Sequence, residues 1–146
     1  MNLTKETYFS DLIILIVRLA IAALMLTHGL PKLSKLMAGG EIKFANPIGL
    51  GPTVSLILVV FSEVFCSLLI ALGYKLRLAT IPLIITMLVA AFITHLGDGI
   101  HKQEKALLYL LVYILLIIKG SGKFSLDNLH KRWYLILYFY IFATLL

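Results

Sequence analysis

Apolar residues in this chain come in long unbroken runs, separated by short polar stretches. The first run is Leu12–Leu30, preceded by Ser10 and Asp11 as N-cap candidates and closed by Gly29 and Pro31. The second starts at Pro52 or Thr53, after Asn46-Pro47-Ile48-Gly49-Leu50-Gly51, and stops at Gly73. The third follows the turn Tyr74-Lys75-Leu76-Arg77 and reaches His95 or Leu96, with Pro82 in its second turn as a potential kink. The fourth, Ala106 to Ile118, is short, and needs Lys102–Lys105 or a snorkelled end to approach the roughly 20 residues of a full span. Gly120-Ser121-Gly122 breaks it, and Ser125-Leu126-Asp127 reads as a new helix start. The pattern predicts an all-α protein: an integral membrane four-helix antiparallel bundle.

The tail, Trp133–Leu146, is apolar and rich in aromatic side chains, which favour the membrane interface. As a helix it is only about 21 Å long, so it is expected to lie on the bilayer as a C-terminal aromatic interfacial helix, with a fifth span as the alternative. The domain reading is a four-span unit over 1–127 and the interfacial helix over 128–146.

Composition agrees with the pattern. Of 146 residues, 61% are hydrophobic and only 14% charged, far from the roughly 25% charged of a soluble domain. The net charge of +6 does not point to nucleic acid, because the basic residues sit at the ends of the apolar runs, where they serve topology and anionic headgroups. Lys5, Lys75, Arg77, Lys119, Lys123, Lys131 and Arg132 fall on one side, and Lys32, Lys35, Lys43, Lys102 and Lys105 on the other. The bias places both ends of the four-span core in the cytoplasm. Glu6 and Asp11 before the first run, and no small-residue cleavage site after it, argue against a signal peptide. Cys66 is the sole cysteine, which excludes dithiol redox chemistry, a covalent haem link and an iron–sulfur cluster; it reads as a small buried filler.

The chemistry must then reside in the few polar groups inside or beside the runs. Arg18 and Glu63 are expensive in hydrocarbon and should face the protein interior with partners. Counted at 1.5 Å per residue, Arg18 lies about 10 Å and Glu63 about 13 Å from the inner ends of antiparallel helices, so the two are expected to meet. This inner layer is extended by Tyr113, Ser62 or Thr86. An outer layer holds His28, Lys32, His95, Asp98 and His101, with Asp98 orienting His95 and with Lys32 and Asp98 tying helices one and three. Tyr109 and Tyr113, at i and i+4, could join the layers. The pair can also be purely structural, fixing how helices one and two dock. His95-x-x-Asp98-x-x-His101 has spacing that could ligate a metal, yet it runs through Gly97 and Gly99, where a solvated loop is the alternative, so no metal is expected. A haem held between His28 and His95 is the remote option.

At these residues the chain resembles the DoxX family of small four-helix bacterial membrane proteins. The matching elements, in family order, are Arg18, then His28-Gly29-x-x-Lys32, then Glu63, then His95-x-x-Asp98, then Lys105-Ala106-Leu107-Leu108-Tyr109, and finally Gly120-Ser121-Gly122-Lys123-Phe124-Ser125-Leu126-Asp127. They span the chain up to Asp127. The family usually has Gly-Pro-Gly at the last motif, and Ser121 here replaces the proline. The family takes its name from a terminal-oxidase or thiosulfate:quinone oxidoreductase subunit. The resemblance therefore implies a redox-linked inner-membrane protein, a quinone-interacting oxidoreductase subunit with a redox protein partner. No residue of this chain carries electrons alone, so they would come from a bound cofactor or that partner. The alternatives are a non-enzymatic membrane assembly partner, whose buried charges are structural, and a proton-coupled small-molecule carrier using Arg18 and Glu63.

Overall fold

The computed structural model describes residues 3–130 and 133. Among these the chain is all-helical, without a strand. Helix α1 is Leu3–Met37, α2 is Pro52–Leu72, α3 is Leu76–Thr94 and α4 is Ile100–Lys119. A further helical turn covers 126–130. Helices α1, α2 and α3 are long and apolar enough to cross a membrane. Helix α4 has the length, but Lys102, Glu104 and Lys105 occupy its first turns. Outward-facing Leu24, Ile57, Ile85 and Leu111 are exposed, which suits a lipid surrounding rather than water. Of the expected C-terminal interfacial segment, 128–130 belong to the 126–130 turn, and the rest, Trp133 apart, lies outside the described residues.

Helix α1 extends beyond both expected ends. Pro31 does not stop it: a proline removes one ladder bond, here to the Thr27 carbonyl, and the ladder resumes, with Ala38 N–H donating to Ser34 O at 3.0 Å. Asp11 is not an N-cap either. Its carboxylate accepts from the Lys123 N–H at 3.1 Å and lies 3.7 Å from the Lys123 ammonium, so it ties α1 to the loop after α4. In α3, Pro82 is also absorbed, and the Thr86 hydroxyl donates to its carbonyl at 2.9 Å.

Helices α3 and α4 pack along one seam. Ala79, Leu83, Met87 and Ala91 recur every fourth residue and meet Ala106, Leu110, Tyr113 and Leu116. Alanines on both sides allow close approach, the usual device where lipid supplies no hydrophobic drive between helices. Two turns are widened to π geometry, Phe61–Cys66 within α2 and Ala90–Thr94 at the end of α3. Such turns are often found at functional sites, and both lie beside the cavities described below.

Arg18 organises one end of the molecule. It is only 1% exposed. Its Nε donates to Ile70 O at 3.1 Å and Nη2 to Ala71 O at 3.0 Å, so the guanidinium satisfies carbonyls at the C-terminus of α2, where the helix dipole also favours a cation. Nη1 donates to Phe124 O at 3.1 Å and to Ser121 O. Gly73 ends α2 in a Schellman turn: its own N–H bonds Ile70 O and the Tyr74 N–H bonds Leu69 O, both at 3.0 Å. Its φ of 64° is left-handed, and a Cβ there would sit 2.7 Å from Arg18 Nη1 and 2.6 Å from Ser125 Cβ. Asp127 completes the closure by capping the start of α3 from across the chain, accepting from the Lys75 N–H at 2.7 Å and the Leu76 N–H at 3.2 Å.

The expected Arg18–Glu63 pair does not form. Ile70, which Arg18 holds, is seven residues past Glu63, about 10 Å along the helix. Arginine's long stem carries its charge to the helix end, where unpaired carbonyls offer planar, directional acceptors.

Replacing Arg18 leaves carbonyls of α2 and the 121–124 loop without donors. Arg18→Leu should lower stability by about 3 kcal/mol or more, and Arg18→Lys should recover only part of that, because an ammonium cannot reach carbonyls spread over two segments. Thermal unfolding in mild detergent reads both. Equal stability of wild type and Arg18→Leu would show that the clamp carries no energy.

Candidate functional site

Glu63 pairs with Lys32. The ammonium lies 2.5 Å from Oε1 and 2.6 Å from Oε2, so it bridges both carboxylate oxygens. Four residues after His28 on α1, Lys32 turns back against the π turn of α2 that carries Glu63. The helices can come this close because position 29 is glycine. A Cβ there would lie 2.8 Å from Val64 Cγ2 and 3.0 Å from both the carbonyl carbon and Cβ of Glu63. The ion pair is lopsided: the Glu63 side chain is 5% exposed and that of Lys32 29%.

Two cavities meet at this pair, and Lys32, Glu63, Ala90 and His95 line both. The larger, of about 320 Å³, runs between α2 and α3 under the loop that carries Phe44, Pro47 and Ile48; its walls are apolar, with Ser55 and Thr86 as further polar groups. The smaller, of about 180 Å³, lies between α1, α3 and α4, and is lined by His28, Lys105 and Tyr109 among others. The His28 ring meets Tyr109 edge-on at 5.9 Å, and Tyr109 stacks on Tyr113 at 6.2 Å. Tyr113 is fully buried, and its hydroxyl has no hydrogen-bond partner among the described residues. Thr86 Oγ1 lies 2.9 Å from Ser62 Oγ, which pins α3 to the π turn of α2.

The layers expected from the sequence are therefore redrawn. Glu63 leaves the inner layer and joins Lys32, His28, His95 and Tyr109. Arg18 is left at the far end as a structural clamp. Lys32 and Asp98 do not tie α1 to α3, since Lys32 is engaged by Glu63. Asp98 instead accepts from His95, with Nδ1 to Oδ2 at 3.0 Å, and from Lys102 at 3.3 Å. These contacts hold the Asp98 carboxyl below the usual carboxylate range, the His95 bond contributing most. A lowered value means that the contacts persist at neutral pH and are lost only as pH falls through it. His101 does not join them, and among the described residues no three His, Cys, Asp or Glu side chains gather as a metal site. The spacing His95-x-x-Asp98-x-x-His101 fails because the helix is interrupted between Thr94 and Ile100.

Sequence reasoning overlooked the roof of the larger cavity. Phe44, Pro47 and Ile48 sit in a loop read only as a connection. Its apolar side chains, and Asn46, were the available signal: Asn46 Oδ1 accepts from the Gly51 N–H at 2.9 Å and folds the loop back onto α2.

Residues 13–96, more than half of the sequence, match the DoxX family. The chain belongs to that family. No curated protein and no solved structure matches it. The family match in this DoxX protein contains Arg18, His28, Gly29, Lys32, Glu63 and His95. It ends before Asp98, Tyr109 and the Gly120–Asp127 stretch, so the partners that Arg18 finds in the 121–124 loop lie beyond it.

Two predictions follow the geometry. Lys32→Met strands a carboxylate that is almost wholly buried, whereas Glu63→Gln leaves an ammonium able to reach outward. Lys32→Met should therefore cost about 3 kcal/mol and Glu63→Gln clearly less, with the double variant more stable than Lys32→Met alone. A thermal-shift double-mutant cycle measures this, and equal single costs would refute the lopsided pair. Gly29→Ala gains up to about 1 kcal/mol of helix propensity, but its Cβ presses on backbone that cannot step aside. A net loss of about 1–2 kcal/mol is expected. A stabilised Gly29→Ala protein would show that α1 and α2 separate freely.

Proposed function

We propose that this DoxX protein is a redox-linked protein of the bacterial inner membrane that binds a quinone headgroup beside the Lys32–Glu63 pair. The observation that carries the reading is the junction of the two cavities at that pair. A quinone needs an apolar slot and one or two hydrogen-bond donors for its carbonyl oxygens. The larger cavity supplies apolar walls and a volume at the lower end of known ligand pockets, and Lys32, which keeps a third N–H beyond the two directed at Glu63, is a donor on its lining. Lys32 would bind and orient a carbonyl oxygen, and the His95 ring, held by Asp98, would pack beside the headgroup. Glu63 would hold Lys32 in place and exchange a proton across the pair, and His28 would connect that acid to the outside. The quinone supplies the electron chemistry when bound, and a partner subunit completes the electron path.

In this reading α4 is the fourth span of an antiparallel bundle, and both ends of the four-helix core are cytoplasmic, with the Lys32 end outward. The carrier reading invoked an Arg18–Glu63 pair, which does not exist here. The assembly-partner reading has one observation in its favour: the hydrogen bonds of Arg18 all go to backbone carbonyls. It predicts no use for the cavities.

A short-chain quinone analogue titrated into the detergent-purified protein, followed by thermal shift, tests the reading. Wild type should bind saturably, and His28→Ala and Glu63→Gln should each weaken binding about tenfold, the equivalent of 1.4 kcal/mol. Absence of binding in wild type, or binding unchanged in both variants, would leave the assembly-partner reading ahead.

A further inference from the structure

A separate concavity of about 570 Å³ opens at the Arg18 end, between the α2–α3 turn, the end of α4 and the 126–130 turn. Three cations line it: Lys75, Arg77 and Lys119. Asp127 is the one acid in its lining, and both of its oxygens are engaged by the Lys75 and Leu76 N–H groups. Among the described residues Arg77 and Lys119 have no hydrogen-bond or ion-pair partner. Gly120 leaves room for the guanidinium, since even a Cβ built there would be 4.0 Å from Arg77 Nη2.

The surroundings are apolar. Leu78 lines the concavity and is itself 64% exposed, and Ile118, next to Lys119, is 66% exposed. The charged rim therefore passes directly into the surface that faces acyl chains. Cations at the end of a membrane helix bundle attract anionic headgroups, and arginine holds phosphate oxygens two at a time. A free anion would make no use of the apolar border.

We propose that this concavity binds the phosphate headgroup of an anionic phospholipid, with an acyl chain lying along Leu78 and Ile118. The bound lipid would brace the 120–127 loop from outside, while Arg18 holds it from within.

Native mass spectrometry of the full chain in mild detergent tests this with phosphatidylglycerol, phosphatidylcholine and inorganic phosphate as probes. Wild type should retain phosphatidylglycerol and not phosphatidylcholine, and inorganic phosphate should not displace it. The double variant Arg77→Gln/Lys119→Gln should lower retention about tenfold or more, from the loss of two surface cations. Both side chains are exposed, so folding is preserved, as a thermal midpoint would verify. Lys35→Gln/Lys43→Gln removes the same charge from the other end and should retain the lipid. Equal losses in the two double variants would reduce the effect to net charge and overturn the site. Equal retention of both lipids, or retention undiminished by Arg77→Gln/Lys119→Gln, would also overturn it. Displacement by inorganic phosphate would make this a free-anion site and overturn the lipid assignment.

Discussion

A buried guanidinium holds the fold together at one end. Arg18 is removed from both water and lipid, and its N–H groups are spent on carbonyls of two segments far apart in sequence, at the end of α2 and in the loop after α4. In hydrocarbon a carbonyl without a donor costs several kcal/mol, and a charge without acceptors costs more. Each problem removes the other here. Gly73, Asp11 and Asp127 owe their positions to this closure: the glycine makes room for the guanidinium, and the two carboxylates tie the same loop and the α3 start to it.

The second charged locus obeys a different logic. Lys32 and Glu63 neutralise each other, so no carbonyl is recruited and the space around them can stay open. The close approach at Gly29 and the π turn of α2 place the pair at the boundary of two cavities. Arg18 and Glu63 thus differ: one is bonded to carbonyls at a helix end, and the other is paired with a cation beside two cavities.

Three apolar runs, their helix type and most of their boundaries were legible from the sequence. Gly73 and Pro52 bound α2 as read, because a left-handed glycine and an N1 proline act locally. Pro31 misled, since a proline deletes one bond and cannot end a helix whose following residues still favour it. Of the outer layer read as His28, Lys32, His95, Asp98 and His101, the first three line one cavity, because matched depth on neighbouring helices follows from helix rise alone; Asp98 and His101 do not line it, and Tyr109, read as a link between layers, does.

Who pairs with whom was not. A residue count gives height to within a few ångströms, but Lys and Arg side chains reach farther than that, and the tilt and rotation of each helix are set by packing. Arg18 could have met Glu63 on height. It met helix-end carbonyls because the loop after α4 folds back beneath it, a contact across more than a hundred residues. Composition and run length by themselves determined a helical membrane protein with a few buried charges, since the bilayer accepts little else. Only the tertiary structure decided which charge holds carbonyls and which pairs with a cation beside the cavities, because that choice depends on which donors and acceptors the folded chain brings within hydrogen-bond reach.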